Sequence, residues 1–369
     1  MNKKFDFYKK SYNIIYMNIN YSTEHYLKIG LQSSLKNIGI YRKFADKIQK
    51  IDTYKLKCNN FDWKFKCYNK VKFEKIRNFY GIESNYYINS LCTENIISGK
   101  TYPKSGAKFW KTSDNKYIVK TITKNECKFF RHILKKYSNY IQENNTYLVK
   151  ILGLYRIILP NFDSRFIIMN NIFEHKIKID NIFDLKGTTE ERFENDENLE
   201  LKDINFTNRN NSFILQQNDH NEFITTIVND TQFLKDMIIM DYSLIVAIIE
   251  YDLYENIPKE FFEKKNIKIC VSENDIKIYI FGIIDFFQKW TLWKRCCGVW
   301  KKMYYRILCC DQYTEIDSEN PYIYRNRFIN FIKKNSKIYL QKKNHESSYE
   351  FTEQLVTKTP SISQFRLNV

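Results

Sequence analysis

Apolar and polar residues alternate with period two through FDWKFKCY, and the spacing then turns helical through NKVKFEKIRNFYGI, a strand followed by a helix. SGAKFWKTSDNKYIVKTI reads as a hairpin, with a glycine turn, a short strand, an SDNK turn and a second strand. KNECKFFRHILKKYSNYI keeps the helical spacing, and YLVKILGLYRIIL and RFIIMNNIF read as two further strands. After Gly187 the chain becomes polar through TEERFENDENLELKD, which predicts a loop or lobe connection. An apolar helix is expected over NEFITTIVNDTQFLKDMIIM, strands over IKIYIFGIIDFF and a late helix near NRFINFIKK. A polar, Lys- and Tyr-rich stretch with one apolar patch, YLKIGLQSSL, precedes these elements. The tail is expected to be loosely ordered.

A strand-rich half followed by a mixed half, without internal repeat, suggests two lobes with a site between them. The expected division is residues 1–57 as an N-terminal extension, 58–180 and 181–336 as the lobes, and 337–369 as the tail. The chain has 369 residues, 43% of them apolar, with 28 Tyr and 28 Phe, which supplies a substantial core. A formal net charge of +17 points to a polyanionic partner (membrane surface, nucleic acid or phosphorylated ligand) or to a composition biased toward Asn, Lys, Ile and Tyr. No RRM, KH or zinc signature accompanies the charge, which ranks nucleic acid last. The nine cysteines form no CxxC pair. MNKKFDFYKK lacks the apolar segment of a secretory signal, so the thiols are expected to be reduced and cytosolic. A zinc site built from the doublets Cys296–Cys297 and Cys309–Cys310 with a distant His is the alternative. No apolar run reaches spanning length, so membrane contact is expected to be peripheral.

Three features carry the residue types that phosphoryl transfer requires. Lys120 lies in YIVKT, across a hairpin from the Ser105–Gly106 turn. A turn whose backbone N–H groups face a phosphate, followed by a strand lysine, is how kinase folds cover ATP; a purely structural turn is the other reading. Glu126 begins the next helix, either paired with Lys120 or as a surface charge. Asp241 interrupts the apolar run MIIMDYSLIVAII, where a buried carboxylate is costly unless paired. It is an N-cap or hydrogen-bonded structural acid, or a working residue. Asp285 ends the apolar strand of YIFGIIDFFQ; there it caps a turn or serves Mg²⁺, which takes one or two carboxylates plus phosphate oxygens. DLKGTTEER sets Asp184, Lys186 and Arg192 around a glycine turn, a further candidate phosphate contact.

Together, and in this order, these segments resemble the phosphatidylinositol phosphate kinases. MDYSLIVAI is similar to that family's MDYSLL-G-H segment, DLKGTTEER to its DLKGST-x-x-R segment, and FGIIDFFQ followed by KR to its GIIDILQ…KK segment. SGAKFW…YIVKT resembles its phosphate loop and strand lysine, and MNN at 169–171 its hinge. LKIGLQSSL, FDWKFK, YYINSLC and PYIYRNRFINFI follow the family's order, so the likeness runs from about residue 26 to 335. The resemblance implies the family's two-lobed α+β fold with an antiparallel sheet in each lobe. It implies ATP and Mg²⁺ as cofactors, Asp241 as the catalytic aspartate facing the inositol hydroxyl, and Asp285 as the metal ligand. Lys120, with Ser105, Gly106 and Glu126, would serve ATP; Met169 and Asn171 would line the adenine pocket; Lys186 and Arg192 would lie near phosphate groups. The implied activity is phosphorylation of a phosphatidylinositol monophosphate on the cytosolic face of a membrane, the plasma membrane first, with homodimerisation left open.

The chain departs from the family's pattern at Pro103 and Ala107 in the phosphate loop, and at Ala247 and Ile249, which stand for Gly and His. Glu190 and Glu191 follow DLKGTT where relatives are often basic or neutral. Pro removes an N–H donor from the loop, and Ile249 is expected to remove a polar side chain close to the site. A weakly active or inactive phosphoinositide-binding scaffold is therefore the alternative. From Phe286 to Cys310 there is no acid, while Lys289, Lys294, Arg295, Lys301, Lys302 and Arg306 are basic. Trp290, Trp293, Cys297, Trp300 and Tyr304 recur on one helical face, the pattern of an interfacial membrane helix or of a packed helix with a solvated basic face. In the family this is the activation segment that meets the membrane and selects the lipid. Lys294, Arg295 and Cys297 would contact the lipid. Cys297 stands where 5-kinases have Glu and 4-kinases Ala, whereas Trp300 and Lys301 follow the 5-kinase pattern, which favours 5-kinase activity with relaxed discrimination.

Overall fold

The computed structural model describes residues 22–35, 51–58, 61–92, 97–98, 106–174, 179–251, 261, 264–272, 276–291 and 320–340. The chain divides into two compact units, Met1–Gln142 with Lys150–Glu174, and Glu143–Val149 with His175–Val369. Helices and antiparallel sheets occur in both, an α+β architecture.

The first unit carries β1 (Ile51–Cys58), β2 (Phe61–Tyr68), β3 (Ile97–Ser98), β4 (Phe109–Lys111), β5 (Tyr117–Ile122), β6 (Ile151–Leu159) and β7 (Phe162–Asn170). They form one sheet in the order β1-β2-β6-β7-β5-β4-β3, antiparallel throughout. The alternation in β2 buries Trp63, Phe65 and Cys67 and leaves Asp62 and Lys64 to solvent, and Phe65 stacks on Tyr155 with ring centroids 5.5 Å apart. Each such buried side chain contributes about 1.5–3 kcal/mol. Around the sheet are α1 (Thr23–Leu35), α2 (Lys70–Phe79), α3 (Ser84–Cys92) and α4 (Lys124–Glu143). α1 and β1 come from the stretch expected as an N-terminal extension; Tyr26, Leu27 and Leu31 of α1 are buried. Cys127, Phe130, Ile133, Leu134, Tyr137 and Ile141 are the buried face of α4, as their spacing predicts.

The second unit carries β8 (Asn181–Leu185), β9 (Phe213–Leu215), β10 (Ile239–Met240), β11 (Ser243–Tyr251), β12 (Ile267–Val271), β13 (Ile276–Ile284), β14 (Gln288–Lys289) and β15 (Ser336–Ile338), with α5 (Asp203–Asn208), α6 (Gln217–Asp236) and α7 (Pro321–Lys334). β12-β13-β11-β8 form an antiparallel sheet; β10 pairs with β14, and β9 runs parallel to β15. The apolar run of β11 is a central strand, with Leu244, Val246, Ala247, Ile248 and Ile249 buried. The helix expected to continue through Met240 ends at Asp236. Ile238 turns the backbone left-handed, φ 58°, and Ile239 opens a strand. Phe206, Phe213, Phe223 and Phe281 form an aromatic core with successive centroids 5.1, 5.6 and 4.4 Å apart. Tyr147 joins them 5.6 Å from Phe281. Asp230 accepts from the Tyr147 N–H at 2.8 Å and the Thr146 hydroxyl at 2.7 Å, fastening segment 143–149 to this unit. No described helix is long and apolar enough to cross a membrane.

Candidate active site

In the second unit the strand pairing is broken between the β11–β13 and β10–β14 ladders, and both candidate acids stand in the break. β11 pairs with β13 up to Ser243↔Ile284, and β10 with β14 from Met240↔Gln288. Asp241 and Tyr242 therefore face Asp285, Phe286 and Phe287 without ladder partners. Asp241 has φ 63° and Asp285 φ 61°, left-handed states that are uncommon for residues other than glycine. Such a turn lifts a carboxylate out of the pleat while its neighbours stay in the core. Tyr242 is 1% exposed, with its ring 4.8 Å from Tyr324 and 5.2 Å from Phe328 of α7. The Tyr324 hydroxyl donates to the Tyr242 carbonyl. Asp241 is neither an N-cap nor sealed in: its side chain keeps 24% exposure and accepts a 2.5 Å bond from Lys186 Nζ.

Lys186 follows β8, which pairs with β11 at Leu185↔Leu244, so the sheet register carries it beside the break. Gly187 has φ 71°, and a Cβ there would meet the Phe328 Cα at 3.1 Å and the Phe331 Cβ at 3.1 Å. The glycine of DLKG thus lets the turn lie against α7, the same helix that holds Tyr242. One helix buttresses both the lysine and the aspartate.

Behind this turn is a carboxylate that the sequence reading assigned to a loop. Asp203 is 2% exposed. It accepts from Gly187 N at 2.7 Å, Lys186 N at 3.0 Å and Arg192 Nε at 2.7 Å. Arg192, expected near a phosphate, is 6% exposed and committed inside the unit; besides Asp203 it bonds the Asp184 carbonyl and, at 3.1 Å, the Asp184 carboxylate. Burial alone would depress the guanidinium, and the Asp184 and Asp203 carboxylates outweigh it, raising its pKa above the ordinary arginine value. The role of Asp203 depends on folding back 16 residues onto Gly187, which no local pattern encodes.

In the first unit, Lys120 of β5 is 7% exposed, with Nζ 4.9 Å from the Phe109 ring centroid across the hairpin. Gly106 has φ 68° with open space where a Cβ would be, so backbone conformation and not crowding calls for glycine there. Glu126 forms a capping box: its carboxylate accepts from Thr123 N at 2.7 Å and its N–H donates to Thr123 Oγ1 at 3.2 Å. That gives Glu126 a capping role where pairing with Lys120 or a surface charge was expected, and the signal, T-x-x-E before an apolar run, was present in the sequence. Met169 is 6% exposed in β7, opposite Ile118. Asn171, expected to line an adenine pocket, is 2% exposed and spends its amide on the backbone. It donates to Asn115 O at 2.7 Å and accepts from Phe173 N at 3.1 Å, bracing the SDNK turn. Ile249 is 3% exposed in β11, eight residues from Asp241 and so roughly 26 Å along extended backbone at about 3.3 Å per residue. The expected loss of a polar group close to the site therefore falls within strand packing. Ser105, Pro103, Lys294, Arg295, Cys297, the cysteine doublets and the Trp-rich cationic segment beyond Thr291 lie outside the described residues.

Residues 91–266 and 253–335 match the family model for phosphatidylinositol-4-phosphate 5-kinase. The chain belongs to the phosphatidylinositol phosphate kinase family. A phosphatidylinositol 4-phosphate 5-kinase of Plasmodium falciparum (isolate 3D7) is 27% identical over 361 residues, covering 84% of this chain and 21% of that protein. The phosphatidylinositol 5-phosphate 4-kinase type-2 alpha of Gallus gallus is 32% identical over 200 residues, covering 52% of this chain and 49% of the relative. The human type-2 beta 4-kinase is 30% identical over 220 residues, covering 58% and 52%. The chain spans about half the length of these vertebrate kinases and about a fifth of the Plasmodium one. Lys120, Lys186, Asp203, Asp241 and Asp285 all fall within the segments matched to the family.

Proposed function

We propose that the chain is a lipid kinase that transfers the γ-phosphoryl group of ATP to an inositol hydroxyl of a phosphatidylinositol monophosphate. The first reading of the substrate is phosphatidylinositol 4-phosphate, phosphorylated at the 5-hydroxyl to the 4,5-bisphosphate at the cytosolic face of a membrane. One observation carries it: Lys186 Nζ lies 2.5 Å from Asp241 at the strand break that also bears Asp285. Asp241 orients the attacking hydroxyl and takes its proton as the bond to phosphorus forms. Lys186 holds the Asp241 carboxylate in line and brings a positive charge to where phosphate charge develops. Lys120 neutralises the phosphates of ATP. Asp285 offers a carboxylate just past the end of β13, in the same strand break as Asp241, and such hard oxygen donors fit Mg²⁺. When bound, the ion neutralises charge on the phosphate oxygens. Little covalent work falls to the protein, so positioning dominates the rate.

Purified chain is assayed for transfer of labelled phosphate from ATP to vesicles holding each phosphatidylinositol monophosphate. Transfer is expected, with Lys120→Met, Asp241→Asn and Asp285→Asn each lowering kcat by on the order of 100-fold or more without unfolding. Near wild-type turnover in any variant removes the role given to that residue. Tight vesicle binding with no transfer by the wild type establishes the scaffold reading instead.

A further inference from the structure

We propose that Asp203 is a positioning residue, which fixes the turn that delivers Lys186 to Asp241; its kinetic consequence rests on the kinase reading above. The carboxylate touches no side-chain group given a part in the proposed reaction; its oxygens are spent on the backbone amides of Gly187 and Lys186 and on Arg192 Nε. Arg192 in turn grips the backbone and side chain of Asp184. Residues on both sides of Leu185, the last residue of β8, therefore hang on one buried carboxylate–guanidinium pair. Burying such a pair is costly unless its remaining donors and acceptors are matched, and here two backbone amides and a carbonyl match them. The matching has a consequence at the surface. A lysine on a free backbone averages over many rotamers, and a part-exposed ion pair then contributes little. With the Lys186 backbone pinned by Asp203 and Gly187 seated on α7, only the side-chain torsions of Lys186 remain to be fixed. The ion pair with Asp241 then persists as one geometry.

Asp203→Asn tests this with little change of volume: one oxygen still accepts from the turn amides, while the new amide group opposes Arg192 Nε. Asp203→Ala is the stronger variant, and Asp196→Asn, at an exposed carboxylate, is the control. The first readout needs no activity: the rate at which the Lys186 amine of the intact, folded chain is acylated, read by mass spectrometry without ATP or lipid. Asp203→Asn is expected to speed acylation of Lys186 by about threefold or more, as Asp241→Asn does by removing the partner, with Asp196→Asn unchanged. The second readout is transfer kinetics, where Asp203→Asn is expected to lower kcat by about tenfold with KM for ATP within about twofold. Unchanged Lys186 acylation in folded Asp203→Asn overturns the proposal, and so does faster acylation with unchanged kcat. If Asp203→Ala does not fold, Asp203→Asn decides alone. If the wild type transfers no phosphate, the kinase reading fails by itself and the acylation rates still decide whether Asp203 holds Lys186.

Discussion

Asp241 at φ 63° and Asp285 at φ 61° occupy a backbone region that costs an L-residue about 1–2 kcal/mol. Ile238 at φ 58° adds a β-branched residue to the same ribbon. Glycine would relieve the strain at each acid, so the carboxylates are kept for what they do. The cost is measurable. Asp285→Ala is expected to be less stable than Asp285→Gly by about 1 kcal/mol, because alanine retains the Cβ clash that glycine lacks. Urea denaturation of the two variants checks this; equal midpoints would remove backbone strain from the account of Asp285. Residues of this kind were legible as types and not as states. An acid in an apolar run announces that something must satisfy it, but that its partner is Lys186, 55 residues away, is decided by strand register.

Elements with strong periodicity were legible: β2 with α2, the β4–β5 hairpin and α4 each bury the residues their spacing selects. The helix α6 follows its predicted period along most of its length and stops short of the predicted end, because Met237-Ile238-Ile239-Met240 is apolar whether helical or extended. Short pieces such as α5 and β9 carry too few residues to show a period and are held by tertiary partners, Asp203 with Arg192 and Phe213 with Phe206. One element makes its prediction from sequence alone. The cationic segment after Trp290 has basic residues that each contribute about 1 kcal/mol near an anionic surface. Replacing Lys294, Arg295, Lys301 and Lys302 with Ala is expected to weaken binding to anionic vesicles by on the order of tenfold or more and to flatten its salt dependence. Binding to neutral vesicles should change far less. Equal loss on both vesicle types, measured by sedimentation, would identify a packed helix.

For the molecule as a whole, the proposed kinase activity leaves lipid choice open, since the relatives include both 5-kinases and 4-kinases. Cys297 is small and nearly apolar, and Cys297→Glu is expected to raise the preference for phosphatidylinositol 4-phosphate while Cys297→Ala changes little. The ratio of kcat/KM for the two monophosphates in vesicles of matched charge reports it; an unchanged ratio in the Glu variant would move lipid selection to other residues. The sequence by itself determined the family and the α+β class, because motif order and hydrophobic period are local quantities written along the chain. It also offered Lys120, Lys186, Asp241 and Asp285 as candidates, residue types that phosphoryl transfer chemistry requires. Only the tertiary structure decided which polar residues are buried supports. Arg192 and Asn171 are spent on structure, Glu126 caps a helix, Ile249 packs in a strand far from Asp241, and Asp203 holds the turn. The reason is physical. A polar side chain's role depends on which donors and acceptors surround it once water is excluded, and for Asp203 and Arg192 those groups are brought in by a chain that folds back on itself between β8 and α5.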